Sequence, residues 1–183
     1  MSKTMLEIRQ GQLQEPINDR DNTLGNENAT VGLVEYGDYE CPYCAAAHPV
    51  VSDLLRLRSS AVLFAFRHFP LSNIHSHAEF GAECAEAAGA QDRYWMMHDW
   101  LFTHQQQMEP GAVGTAAQQM GMDSSALLQA VSARTFYPKV QHDFMTGLRS
   151  GVNGTPTFFI NGTRYDGVPT LDGLVTAIDA ELG

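Results

Sequence analysis

The sequence predicts an α/β protein in which a small sheet is interrupted by a block of helices. Two apolar runs, "VGLVEY" at 31–36 and "AVLFAFRHF" at 61–69, are rich in β-branched and aromatic residues, as buried strands are. Between about 76 and 150, apolar residues recur at helical spacing instead. Two later runs, in "PTFFI" and "RYDGV", flank Asn161-Gly162, a strong hairpin signal. The predicted order is therefore β-α-β, several helices, then β-β-α.

The first predicted helix begins near Cys41 and ends at Ser59-Ser60. Pro42 falls in its first turn, where the missing N–H of proline costs nothing. Pro49 lies inside this helix, so a kink is expected there. Gly121 followed by Asp123 indicates that one later helix ends and the next begins.

The end of the helical block and the C-terminus also carry clear signals. Val140, Phe144 and Leu148 are spaced four residues apart, which predicts one buried stripe on the last helix of the block. Gly151 is expected to end that helix. Thr170 is a good N-cap for a terminal helix with four apolar residues inward.

Composition excludes several classes of function. The chain has 183 residues and 44% hydrophobic content, enough for a core without cross-links. Its net charge of −10 argues against nucleic-acid binding. No apolar run approaches the ~20 residues that would cross a bilayer, and the polar N-terminus shows no signal-peptide core. The expected location is the cytoplasm; the periplasm would require that a leader had been removed.

Cys41 and Cys44 form a C-x-x-C motif at the predicted start of the first helix. There, unpaired backbone N–H groups and the helix dipole stabilise a thiolate. The first cysteine should therefore act as a nucleophile, and the second, one turn deeper, should close a disulfide with it. Asp38 and Glu40 oppose this by raising the pKa of Cys41, and His48 could offset them, so the sequence leaves the net pKa open.

Other uses of the cysteines fit less well. Zinc needs four ligands, and no second ligand pair with finger-like spacing accompanies the motif. Covalent haem needs histidine at the position of Ala45. A structural disulfide is rare in the cytoplasm. Cys84 is interpreted as a buried structural thiol, with a regulatory or glutathionylated thiol as the alternative. His75 and His77 are expected to shape the loop after the second strand rather than to bind metal.

Two stretches, "DYECPYC" and "GTPTFFINGTRYDG", closely resemble the DsbA-like branch of the thioredoxin superfamily. "FRHFPLSNIHSHA" and "RYWMMHDWLF" are similar to further parts of that branch, and the resemblance covers about 31–182. It implies a thioredoxin-like fold with a helical insertion domain. In this interpretation, 1–30 is an N-terminal arm or early edge strand, 31–74 and 151–183 form the thioredoxin-like domain, and 75–150 form the insertion.

The resemblance also implies roles for individual residues. Cys41 would be the exposed nucleophile and Cys44 its buried partner, with Pro42-Tyr43 tuning the redox potential. Thr155-Pro156 matches the family's cis-proline pair, which can bind a substrate backbone.

Glu35 resembles the buried acid beneath the cysteines, which assists proton transfer to and from the second of them. Burial would raise the pKa of such a carboxyl. The alternative is a glutamate at a strand end that reaches solvent.

We therefore expect an enzyme, a thiol–disulfide oxidoreductase without a bound cofactor or metal, whose direction of electron flow is open. Its partners would be protein or peptide thiols and disulfides, with glutathione or a thioredoxin-type protein as candidate recycling partners. Tyr43 stands where the best-known oxidases carry histidine, which favours a less oxidising protein. The alternative is a thioredoxin-like binding module that docks a protein or metal with little redox turnover. Five residues are expected to form an apolar collar for the substrate: Tyr39, Pro42, Tyr43, Val152 and Pro156.

Overall fold

The computed structural model describes residues 11–183, so residues 1–10 of the predicted arm lie outside the described part. The strands are β1 (Thr23–Gly25), β2 (Val31–Gly37), β3 (Val62–His68), β4 (Thr157–Ile160) and β5 (Thr163–Tyr165). The helices are α1 (Pro42–Leu57), α2 (Ala78–Gly89), α3 (Tyr94–Thr103), α4 (Pro110–Gln119), α5 (Ser124–Ser132), α6 (Tyr137–Arg149) and α7 (Leu171–Leu182), with a 3₁₀ turn at Gln105–Gln107.

The five strands form one sheet in the order β1-β3-β2-β4-β5. The central pair, β2 and β3, is parallel, and the other three pairings are antiparallel. Helices α2 to α6 all lie between β3 and β4 in the chain. The structure thus confirms the predicted α/β class, with a block of helices inserted between two strands of the sheet.

Local turn and cap signals are confirmed. Asn161 and Gly162 both adopt positive φ, 46° and 82°, as a two-residue hairpin turn between β4 and β5 requires. Asp123 and Thr170 cap α5 and α7 by accepting a hydrogen bond from a backbone N–H in the first turn. Helix α1 starts at Pro42 as predicted and continues past Pro49.

The two faces of the sheet bury two separate clusters. Along β2, Leu33 and Glu35 face one side, while Val34 and Tyr36 face the other. The larger cluster unites α1, α7 and the helices α2 to α5 over the first side. The smaller cluster lies under α6 and includes Phe159. Both central strands are therefore apolar on both faces, which explains their near-continuous apolar runs.

The buried face of α6 differs from the prediction. Val140 is buried, but Leu148 is 45% exposed. The helix instead turns Asp143 and Gly147 toward the sheet. A Cβ atom on Gly147 would lie 2.7 Å from a ring carbon of Phe69, so only glycine permits this close approach. The predicted stripe is therefore wrong at its C-terminal end.

The segment before β2 covers both edges of the sheet. Strand β1 pairs with β3 at one edge. At the other edge, Gln12 bridges to Thr163, and Leu13 N–H donates to the Gly162 carbonyl at 2.8 Å. Between these contacts, the buried guanidinium of Arg67 bonds both carboxylate oxygens of Asp21 at 2.8 Å. The predicted early edge strand is thus present at Thr23–Gly25.

No helix within residues 11–183 has both the length and the apolar character needed to cross a bilayer.

Candidate active site

The turn between β2 and α1 places Cys41 at the N-cap of the helix. Its backbone is extended, with φ −74° and ψ 122°, and Pro42 follows in the first turn. The Cys41 N–H donates to the Asp38 carbonyl at 3.1 Å, which fixes the turn. Both Cys41 and Cys44 are free thiols. The first helical N–H groups therefore point toward the Cys41 sulfur, as the sequence predicts.

The surroundings of Cys41 favour its thiolate. The hydrogen bond from the Cys44 thiol is the largest influence and, against the opposing effect of burial, lowers the pKa of Cys41 to about 5. The backbone N–H groups of Tyr43 and Cys44 act in the same direction. At neutral pH the Cys41 sulfur is thus a thiolate, the form that acts as nucleophile.

Cys41 is less accessible than expected. The residue is only 3% exposed, because the loop before β4 lies against it and the Cys41 sulfur is 3.5 Å from the Thr155 carbonyl oxygen. Gln105 also donates from Nε2 to the carbonyls of Tyr39 and Cys41, at 2.8 and 3.0 Å. The prediction of an exposed nucleophile is therefore wrong for the protein in this state.

Cys44 and Glu35 form the buried side of the site. Cys44 is fully buried, and burial, followed by the hydrogen bond to Cys41 and the charge of Glu35, raises its pKa far above the ordinary value. Glu35 is 2% exposed, and burial together with the negative charge of Cys41 raises its pKa to about 8. Its Oε1 atom has no hydrogen-bond partner among the described residues. The predicted buried acid with a raised pKa is confirmed.

Two histidines pair with the acidic side chains near Cys41. The Asp38 carboxylate accepts hydrogen bonds from the N–H groups of Leu71 and Glu40 and lies 2.8 Å from His75 Nδ1. Although desolvation disfavours its charge, the hydrogen bond with Asp38 raises the pKa of His75. Glu40 likewise pairs with His77. These contacts join the loop after β3 to the turn before α1, as predicted for the two histidines.

His48 does not act on the cysteines. Its ring stacks on Phe102 of α3, with ring centroids 5.1 Å apart, and its Nε2 lies 3.3 Å from Asp99. The suggestion that His48 offsets the acids near Cys41 is therefore not supported, because its partners are on α3.

The loop before β4 completes the site. The Thr155–Pro156 peptide bond is cis, and both residues are half-buried. The Thr155 carbonyl faces the Cys41 sulfur, and the Thr155 hydroxyl is buried without a hydrogen-bond partner among the described residues. Backbone from this loop thus borders the Cys41 sulfur.

Comparison with known proteins agrees with this geometry. A family model described as "Thioredoxin" matches residues 18–180. The chain belongs to this thioredoxin family.

Several solved structures share the fold of this chain. Oxidised BdbD from Bacillus subtilis superposes with a TM-score of 0.84 at 22% identity, over 94% of this chain and 98% of that one. A thioredoxin-like oxidoreductase from Silicibacter pomeroyi DSS-3 gives 0.79 at 26% identity, over 89% and 92%. The thiol-disulfide exchange protein alpha-DsbA2 from Wolbachia pipientis gives 0.79 at 20% identity, over 91% and 89%.

Curated relatives of similar sequence are much longer. The Na(+)/H(+) antiporter NhaA 3 of Salinispora tropica is 38% identical over 160 residues, which is 87% of this chain and 24% of the antiporter. NhaA 1 of Salinispora arenicola is 36% identical over 180 residues, 97% of this chain and 28% of that protein. The chain therefore spans about a quarter of these relatives.

The predicted apolar collar around the cysteines is only partly at the surface. Pro42 is exposed, Tyr43 is 74% exposed, and Pro156 is half-buried at its rim. Tyr39 and Val152, at 1% and 2% exposure, are buried, so their place in the collar is wrong.

The two buried residues have different surroundings. Tyr39 packs against Phe66 and Phe102, and its hydroxyl lies 2.9 Å from His98 Nδ1. Val152 belongs to the smaller core cluster under α6. The third cysteine, Cys84, is fully buried as predicted, and burial raises the pKa of its thiol.

Proposed function

We propose that this chain is a thiol–disulfide oxidoreductase that exchanges disulfides with protein or peptide thiols through Cys41 and Cys44. The observation that carries the proposal is the opposite ionisation of the two thiols: burial and hydrogen bonding hold Cys44 neutral, while Cys41 has a pKa of about 5. One sulfur is thus a ready nucleophile and leaving group, and the other is a protected resolving thiol.

In the oxidative direction, a substrate thiolate attacks the Cys41 sulfur of the Cys41–Cys44 disulfide. The bond between the two protein sulfurs breaks, and Cys44 leaves with the electron pair and takes up a proton. A second substrate thiolate then attacks the substrate sulfur of the mixed disulfide and expels Cys41 as a thiolate. The substrate loses two electrons and the protein gains them; reduction of a substrate disulfide reverses both steps.

Glu35 is suited to exchange the proton of Cys44. With a pKa of about 8, its carboxyl is mostly protonated at neutral pH, and the charge of Glu35 acts on Cys44 through the buried interior. A neutral carboxyl can give its proton to the departing Cys44 sulfur in the oxidative direction. In the reductive direction, the carboxylate accepts that proton.

The low pKa of Cys41 favours the oxidising direction. A thiol at the reference pKa of 9.0 is neutral at pH 7, whereas Cys41, at about 5, is ionised. This ionisation stabilises the reduced protein by about 3 kcal/mol at pH 7. For a two-electron couple, that free energy raises the reduction potential by about 60 mV. We therefore propose that the disulfide form passes oxidising equivalents to substrates.

The exposed surface around the site suits an extended peptide. Pro42 and Tyr43 offer apolar surface on one side of Cys41, and the loop carrying Thr155 and Pro156 offers backbone groups on the other. A peptide could pair with that loop as an added strand. Glutathione or a thioredoxin-type protein as recycling partner stays a prediction, as does the cytoplasmic location.

The test is the redox equilibrium of the Cys41–Cys44 pair in glutathione buffers, read by thiol trapping and mass spectrometry in a Cys84→Ala background. We expect a potential near or above roughly −200 mV. A potential below roughly −250 mV would reverse the proposed direction. A pair that forms no disulfide would overturn the oxidoreductase proposal and favour a thioredoxin-like binding module.

A further inference from the structure

A cluster of possible metal ligands lies outside the thiol site, between α1 and α3. His48, on α1, and the adjacent residues His98 and Asp99, on α3, each offer one ligand atom, and these three atoms lie within 4.8 Å of one another. His48 follows Cys44 by four residues, so the cluster lies one turn beyond the thiols along the same helix. None of the three residues contributes to the thiol chemistry described above.

We propose that His48, His98 and Asp99 form a binding site for a divalent transition metal such as Zn²⁺. Two imidazoles and one carboxylate are a donor set that zinc accepts, with water in the fourth position. Mg²⁺ and Ca²⁺ prefer all-oxygen ligands, so nitrogen donors favour the transition metals.

The distance between the two more exposed ligands, His48 and Asp99, already matches that between two ligands of one metal ion. Ligands about 2.1 Å from a tetrahedral ion are about 3.4 Å apart. His48 Nε2 and Asp99 Oδ1 are 3.3 Å apart. The Asp99 side chain is 66% exposed and that of His48 is 15% exposed, so the ion would enter from solvent on the Asp99 side. Water could complete the coordination from that side.

The buried ligand is held in an orientation suited to binding. His98 is 3% exposed, and its Nδ1 lies 2.9 Å from the Tyr39 hydroxyl, which leaves Nε2 for the metal. A hydrogen bond to the second ring nitrogen is the usual means by which proteins orient a histidine ligand. Aromatic rings surround His98 and fix its plane: Tyr39, Phe66, Tyr94, Trp95 and Phe102.

A second three-residue cluster in the described chain does not compete with this one. His68, Glu86 and Asp143 also bring their ligand atoms together, but all three are buried. The Lys139 ammonium lies 2.7 and 2.8 Å from the two Asp143 oxygens. This fixed positive charge already neutralises the carboxylate and would repel a metal ion. Within the described part of the chain, no lysine or arginine pairs with Asp99 in the cluster of His48, His98 and Asp99.

The test is calorimetric titration of the disulfide-oxidised protein with ZnCl₂, since free Cys41 and Cys44 thiols would themselves bind zinc. A Cys41→Ser/Cys44→Ser double variant serves equally well should the disulfide not form, so the result does not depend on the proposed redox activity. We expect one Zn²⁺ per chain, no competition by Mg²⁺ or Ca²⁺, and a loss of affinity greater than about 10-fold in His48→Gln and in Asp99→Asn.

Two further variants separate a metal site from an ion pair. Tyr39→Phe should weaken zinc binding about 10- to 100-fold by freeing the His98 ring. His142→Gln is the matched control, because His142 Nε2 pairs with Glu15 at 3.0 Å but belongs to no three-ligand group among residues 11–183. This control should bind zinc as the wild type does.

Absence of stoichiometric zinc binding, or equal binding by wild type and His48→Gln, would overturn the proposal and leave His48 and Asp99 as an ion pair only. Circular dichroism checks the fold of each variant. Should the variants unfold, the imidazole resonances of His48 and His98 in the wild-type protein decide: zinc must shift both, and unchanged resonances would refute the site.

Discussion

Replacement of Cys44 by alanine should raise the pKa of Cys41. The hydrogen bond from the Cys44 thiol is the largest of the influences that lower this pKa to about 5. In Cys44→Ala this donor is gone, while the first backbone N–H groups of α1 remain. The pKa of Cys41 should thus rise but stay below that of a free cysteine.

The size of the effect follows from the energy of one hydrogen bond to a charged group. Such a bond contributes about 1.5–3 kcal/mol, which corresponds to about 1–2 pKa units. From the value of about 5, the pKa of Cys41 in Cys44→Ala should therefore reach about 6–7. It should stay below that of a free cysteine, about 8.5, because the helix N-terminus still acts on the sulfur.

The assay is the pH dependence of Cys41 alkylation by iodoacetamide, since only the thiolate reacts. Cys84 is buried with a raised pKa and should contribute little in this range. Cys44→Ser is the matched control, because a serine hydroxyl can still donate to the Cys41 sulfur. Its midpoint should lie between those of wild type and Cys44→Ala. Identical midpoints for the alanine and serine variants would refute the assigned role of the Cys44 thiol.

Three further predictions test the site and its support. Cys41→Ser should abolish disulfide turnover, whereas Cys44→Ser should accumulate mixed disulfides that disappear on reduction in non-reducing gels; wild-type turnover by Cys44→Ser would reverse the two roles. Burial raises the pKa of Glu35 from the ordinary value of 4.5 to about 8 in the folded protein. The free energy of unfolding is therefore undiminished by this group below pH 4.5 and falls as the pH rises to about 8. Between pH 4.5 and pH 7, the free energy of unfolding of reduced Glu35→Gln should therefore increase by about 3 kcal/mol relative to that of reduced wild type, as measured by urea unfolding. A difference that does not change with pH would contradict the assignment of Glu35 as a buried acid. Arg67→Met should cost about 3–5 kcal/mol in the same assay by leaving Asp21 buried without its partner. An Asp21→Asn change added to Arg67→Met should recover part of that loss, and no recovery would show that the pair is not the cause.

Features set by neighbouring residues could be predicted from the sequence. The hairpin at Asn161-Gly162 and the start of α1 at Pro42 depend on backbone preferences of one or two residues. The positions of Cys41 and Cys44 at the helix N-terminus follow from that start. The chemistry of the pair was therefore visible in the sequence, although the net pKa of Cys41 was not.

Features set by distant parts of the chain could not be predicted in this way. Tyr39 follows a strand that ends at the site, but α3, about sixty residues later, covers it through Phe102 and His98. Gln105 reaches the Cys41 carbonyl from the same distant region. Glutamine in a polar stretch carries no pattern that would signal such a contact. These residues become part of the site only when the inserted helices pack onto the sheet.

The buried face of α6 shows a second reason for failure. The apolar spacing predicts that Leu148 is buried, yet the helix buries Asp143, Thr146 and Gly147 instead of Leu148. Asp143 is satisfied there by the Lys139 ammonium and the His68 N–H. Gly147 is buried because a side chain would collide with Phe69. Polar and small residues can thus form a contact face that hydrophobic periodicity does not reveal.

The way the chain before β2 borders the sheet has a practical consequence for shortened variants. A protein that began at Val31, where the first long apolar run starts, would lack both β1 and the Gln12–Leu13 pairing with β5. The outer strands β3 and β5 would then display unpaired backbone donors and acceptors, which promote strand exchange and fibrous aggregation. Such a truncated chain would retain every residue of the thiol site and still be a poor reagent. Expression boundaries should therefore be chosen upstream of Gly11.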